Sequence, residues 1–140
     1  MRKDTESAKK LLIDGAFTCV LVKDTIVYSS IERGVKPLME LIDNQIDCAG
    51  FCVCDKVVGK AAAFLYAILE VKEVYTFVIS QSAKDVLLAH GIQIYEEHVV
   101  EAIRNRNNDG FCPMETAVWE IDNKDQAYEV IKKRMQKPSI

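Results

Sequence analysis

The chain has 140 residues, 49% hydrophobic and 28% charged, with a formal net charge of −3. That length and balance fit one globular domain over residues 1–140 and exclude a disordered chain. The slight acidity argues against nucleic acid, which wants a basic face, and no apolar run reaches the ~20 residues of a membrane-spanning helix.

In chain order, DTESAKKLLIDG (4–15) predicts an amphipathic helix capped by Asp4 or Thr5 and ended at Gly15. FTCVLV (17–22) and TIVYSS (25–30) predict a hairpin turning at Lys23-Asp24. ERGVKPLMELIDNQ (32–45) changes period, with Val35, Leu38, Met39 and Ile42 on one helical face. AGFCVC (49–54) and VYTFVIS (74–80) are unbroken apolar runs, the pattern of strands buried on both faces. Between them KVVGKAAAFLYAILEV (56–71) predicts a buried central helix, and its three alanines suit close packing on a sheet. SAKDVLLAHG (82–91) predicts a helix with a Ser82–Asp85 capping box and a stop at Gly91.

IQIYEE (92–97) reads as a short edge strand and HVVEAIRN (98–105) as a short helix. Residues 105–110 read as a polar loop that is either a lid or plain connection. PMETAVWEI (113–121) opens with proline at a first helical position, and KDQAYEVIKKRM (124–135) predicts a last helix with basic residues at its end. The order predicts a three-layer α/β/α sandwich with a mixed sheet, and 49–80 as a parallel strand–helix–strand crossover.

Ligands of open α/β sheets sit beyond the carboxyl ends of the strands, which here points to CVCDKVVGKAAA (52–63). Asp55 reads as a helix N-cap or as a ligand group. Lys56 and Lys60 read as cations near a helix start, opposed to its dipole unless an anion joins them, and Gly59 permits close approach. Cys52 and Cys54 share a strand face as small core residues, with Cys54 nearer the site. In DGFCPMET (109–116), Cys112 precedes a helix start, where a thiol gains reactivity; Glu115 and Thr116 follow it. Arg33 stands before a helix as an anion contact or a solvated charge. A zinc site would draw on Cys52, Cys54, Cys112, His90 and His98, but their spacing matches no zinc pattern, so no metal or other cofactor is expected.

FTCVLVKDTIVYSSIERGVKPL, CDKVVGKAAAFLY and GFCPMETAV together resemble an uncharacterised prokaryotic family with a cytidine deaminase-like fold. The resemblance implies a hairpin at one side of a mixed sheet. It also implies that two helices, starting near Lys56 and Pro113, present their N-termini to one pocket. The zinc-deaminase signature is missing: Lys56 stands where the proton-handling glutamate would be, and Met114 and Ala117 stand where the paired thiolates would be.

The expectation is a cytoplasmic domain without a secretory signal, its five cysteines reduced. It would bind an anionic small molecule of nucleotide or nucleotide-sugar type through Arg33, Cys54, Asp55, Lys56, Lys60, Cys112, Glu115 and Thr116. Were it an enzyme, Asp55 would be base or nucleophile, Lys56 would steady negative charge, and Cys112 would be a reactive thiol. The alternatives are a homo-oligomeric scaffold exposing Tyr28, Phe77 and Trp119, and a residual metalloenzyme using Cys54 and Cys112.

Overall fold

The computed structural model describes residues 1–104 and 110–136. In chain order these form α1 (Lys3–Gly15), β1 (Cys19–Lys23), β2 (Ile26–Ser30), α2 (Lys36–Asp43), β3 (Cys52–Val58) and α3 (Lys60–Leu69). β4 (Glu73–Ser80), α4 (Gln81–Ala89), β5 (Gln93–Val100), α5 (Pro113–Ala117) and α6 (Lys124–Gln136) follow. The sheet runs β2-β1-β3-β4-β5. The hairpin joins β3 antiparallel through β1, while β3, β4 and β5 are parallel.

Helices cover both faces, so the chain is an α/β domain with a mixed sheet. On one face α1 packs Ala8 and Leu12 against Val20, Val22 and Cys54. On the other, α3 lies at the centre of the larger core with residues of α2, α4 and α6 around it. Seven consecutive residues of α3, Ala61 to Ala67, are buried, as its all-round apolar sequence requires.

The boundary between β3 and α3 falls four residues later than the sequence suggested. Asp55 and Lys56 are strand residues, and Gly59 is the N-cap of α3. The Val57-Val58 pair prefers a pleated backbone, and both residues pair with β4. Asp55 is therefore no helix cap, and Lys56 does not oppose a helix dipole. β5 also runs on to Val100, so the helix expected over 98–105 is absent from its described part; pairing of 98–100 with β4 overrides the local pattern.

The ends of other elements differ by smaller amounts. α1 has Arg2 at its N-cap, with Thr5 buried inside the helix, and Ala16 rather than Gly15 takes the left-handed closing position. The hairpin turns at Asp24-Thr25, because Lys23 pairs with Ile26. α2 begins at Lys36 rather than 32, and α5 stops at Ala117 rather than 121. Ser80, not Ser82, caps α4 by accepting from the Ala83 N–H at 3.2 Å. Of the 105–110 loop, residues 105–109 lie outside the described residues.

Candidate functional site

Tyr66 is a phenol in the middle of a buried apolar helix, fully enclosed. A buried hydroxyl needs a partner, and Tyr66 has two. It donates to Asp55 Oδ2 at 2.6 Å, and its oxygen lies 3.2 Å from Cys19 Sγ. The sheet register explains the meeting, since Cys19 of β1 pairs directly with Asp55 of β3. The other Asp55 oxygen, Oδ1, accepts the Val57 N–H at 3.3 Å.

Burial dominates the electrostatics of this chain. It pushes the Asp55 carboxyl up to about 7, against the lowering pull of Tyr66 and of the Val57 and Lys56 backbone. Burial and then the Asp55 charge raise the Tyr66 phenol, and the same two causes raise the Cys19 thiol. Tyr66 and Cys19 therefore stay protonated near neutrality, and Asp55 is the member poised to titrate.

Cys19, itself buried, lines a groove of about 800 Å³ between the hairpin and α2. Leu21, Tyr28, Ile31, Pro37 and Leu41 give it apolar walls. Ser29, Ser30, Glu32, Glu40 and Asn44 add polar groups, two of them carboxylates. The ring of Tyr28 stacks on Phe51 at 5.6 Å.

A second carboxylate sits at the start of α3. Glu115 of α5 is 4% exposed and accepts the Lys60 N–H at 2.7 Å and the Ala61 N–H at 3.1 Å. It fills the position where an anion at this helix start would sit. Gly59 makes room for it: a Cβ there would stand 2.4 Å from Glu115 Oε1. The Lys60 amine donates to the Trp119 carbonyl at 2.9 Å, tying the same two segments together.

The eight residues proposed from the sequence thus divide. Lys60, Cys112, Glu115 and Thr116 gather at the joint of α3 and α5, where Thr116 donates its hydroxyl to the Cys112 carbonyl at 3.2 Å. Cys112 is half-buried at the N-cap of a five-residue helix. Asp55 belongs to the chain with Tyr66 and Cys19. Cys54 is fully buried under α1, on the opposite sheet face from Asp55, and burial pushes its thiol up to about 12. Lys56 alternates away from Asp55 and is exposed, so the two cannot serve one reacting atom as the enzymatic reading required. Arg33 is exposed in the turn before α2. Tyr28 and Phe77 are only partly exposed, whereas Trp119 is 52% exposed. Among the described residues no group of three or more His, Cys, Asp and Glu side chains converges to hold a metal.

Tyr66 and Cys19 escaped the sequence reading. A lone phenol within KAAAFLYAIL was the available signal, because it demands a buried hydrogen-bond partner. Nothing local in FTCVLV marks Cys19; only the register brings it to Asp55.

The fold and the hydrogen-bonded chain of Asp55, Tyr66 and Cys19 define a mixed-sheet α/β domain with a groove beside its hairpin. The family model described as TM1506, a domain of unknown function (DUF1893), matches residues 7–135, and the chain belongs to that family. It is similar to the crystal structure of a DUF1893 family protein (TM1506) from Thermotoga maritima. The TM-score is 0.88 at 24% identity, over 96% of this chain and 92% of that one. That likeness carries the fold. No curated protein matches the chain.

Proposed function

We propose that the chain is a small-molecule-binding domain whose site is the groove over Cys19. The observation that carries this reading is the junction of a groove of about 800 Å³ with a chain of three polar side chains, buried at Tyr66 and Cys19 and partly buried at Asp55. Ligand sites are concave, largely apolar and furnished with a few convergent polar groups, at volumes of roughly 300–1,000 Å³. The groove opens where Cys19 and Ser30 lie beside the carboxyl-terminal half of β3, the end at which α/β sheets place ligands.

The nucleotide-like ligand expected from the sequence becomes narrower here. Glu115 already occupies the α3 N-terminus, and Glu32 and Glu40 line the groove. Both facts weigh against a phosphate and favour a nucleoside-like molecule: a flat apolar ring carrying hydroxyl or amino groups for Ser30, Asn44 and the carboxylates. The sequence resemblance to a family with a deaminase-like fold suggests a ligand of that size, and without the glutamate and thiolates of the zinc signature it favours binding over zinc-dependent deamination.

Saturation-transfer NMR with adenosine, cytidine and their 5′-monophosphates tests this. Nucleosides are expected to receive magnetisation from the protein, and Glu40→Trp, an exposed groove position on α2, is expected to abolish the effect. Transfer that survives Glu40→Trp but vanishes in Lys60→Ala would move the site to the α3 start and overturn the groove reading. No transfer to any of the four would also overturn it.

One observation favours oligomerisation beside this function. β2 is an edge strand whose Ile26 and Val27 are 49% and 45% exposed, with Ile31 at 71% just beyond it, and such edges invite pairing. Light scattering on the purified protein is expected to give a mass above one chain, and Val27→Lys is expected to return it to one. A single-chain mass before mutation contradicts this.

A further inference from the structure

We propose that Asp55, Tyr66 and Cys19 form a reversible hydrogen-bond chain that sets the polarity of the groove floor: Cys19 offers the groove a sulfur acceptor when Asp55 is ionised and an S–H donor when Asp55 is protonated. The inference rests on the groove reading and assigns the groove its specificity element.

Donor counting carries it. Tyr66 has one hydroxyl hydrogen and two neighbours, Asp55 Oδ2 at 2.6 Å and Cys19 Sγ at 3.2 Å. An ionised carboxylate can only accept. With Asp55 ionised, the Tyr66 hydrogen must go to Oδ2, and the bond between Tyr66 and Cys19 then needs the thiol hydrogen. Cys19 spends its one hydrogen inward and leaves sulfur lone pairs toward the groove. With Asp55 protonated, the carboxyl hydrogen belongs on Oδ2, because Oδ1 already accepts the Val57 N–H at 3.3 Å. Asp55 then donates to Tyr66, Tyr66 donates to Cys19 Sγ, and the thiol hydrogen is released to the groove. No bond breaks apart from the hydrogen-bond reversal, and the one proton gained comes from solvent.

The surroundings keep the reversal local. Among the described residues, the titratable groups facing Asp55 are Tyr66 from α3 and Cys19 from β1, with Cys54 of its own strand behind the sheet. From β4, Thr76 pairs with Asp55 in register but directs its hydroxyl to the Val78 carbonyl at 3.0 Å and more weakly toward that of Lys56 at 3.5 Å. The Lys56 amine is on the other side of the strand and exposed. Burial places the Asp55 transition near pH 7 and keeps Tyr66 and Cys19 protonated through it.

The S–H stretching band in the infrared reads the thiol directly, with the groove empty. Cys19→Ala identifies the Cys19 band by its loss. In the unmodified protein that band is expected to shift between pH 5.5 and 9 with a midpoint near 7, in step with the Asp55 carboxyl followed by carbon-13 NMR. Tyr66→Phe should leave Asp55 titrating and abolish the shift. Asp55→Asn, which keeps the shape if Tyr66→Phe folds poorly, should give a band that does not move with pH. A Cys19 band that stays fixed while Asp55 titrates, or one that still shifts in Asp55→Asn, overturns the chain. So does an Asp55 signal that stays flat over this range. Because no ligand is present, failure here leaves the groove reading standing, and absent nucleoside binding leaves the chain standing.

Discussion

Two carboxylates flank α3, Glu115 buried and Asp55 partly so, and they do opposite things. Glu115 receives two backbone N–H groups at a helix start, at 2.7 and 3.1 Å. Its charge meets the donors and dipole that best accommodate it. Asp55 receives one phenol and one longer N–H, at 2.6 and 3.3 Å, in a setting where desolvation wins and lifts it to about 7. One carboxylate locks two segments together; the other stays poised between charge states. Both carboxylates meet two donors, so the count does not separate them; Glu115 has two backbone N–H groups at a helix N-terminus, while Asp55 has a phenol and a longer N–H with no helix dipole behind them.

The contrast breaks first on pH. Asp55 is raised from 3.8 to about 7 on folding, so the folded chain holds its proton longer than the unfolded one. Stability from this group is complete below pH 4, falls as pH rises toward 7 and then levels off. The shift corresponds to at most ~4 kcal/mol, trimmed by the solvent contact Asp55 retains. Urea denaturation across pH 4–8 should show this decline, and Asp55→Asn should flatten it. A decline unchanged in the variant would sink the assignment.

Glu115→Ala comes next, at ~3 kcal/mol, because it strips a charged acceptor from two N–H groups, that of Ala61 buried. Gly59→Ala should lose ~2 kcal/mol by driving a methyl into the same carboxylate. Both are read by urea midpoints at neutral pH, and a neutral outcome for Glu115→Ala would mean the cap is dispensable. Tyr66→Phe should lose ~1 kcal/mol more at pH 8.5 than at pH 5, since only the ionised Asp55 depends on that donor as a charged acceptor. Equal losses at the two pH values would contradict it. Lys56→Ala and Arg33→Ala, exposed and apart from both carboxylates, should change stability by under ~0.5 kcal/mol.

The sequence made the layers legible because CVC, VYTFVIS and AAAFLYAIL carry enough apolar residues to declare buried strands and a buried helix. It blurred the joint between β3 and α3. Val57-Val58 and Gly59 look like a helix opening when read forward from Asp55, and only pairing with β4 makes them strand. That slip gathered Asp55, Lys56 and Lys60 into one helix start. The fold separates them, leaving Lys60 beside Glu115 and Asp55 beside Tyr66. Glu115 lies in the first turn of α5, but the helix start it serves is that of α3, 55 residues earlier in the chain. Such partnerships are set by tertiary packing, and no local spacing encodes them.

The distinction between the two carboxylates rests most directly on the titration of Asp55. Carbon-13 NMR of the aspartate carboxyls, assigned by loss of one signal in Asp55→Asn, follows it in the intact protein. The account predicts a midpoint near pH 7. A midpoint near 4, the ordinary value for an aspartate, would contradict it and leave Asp55 as structural as Glu115.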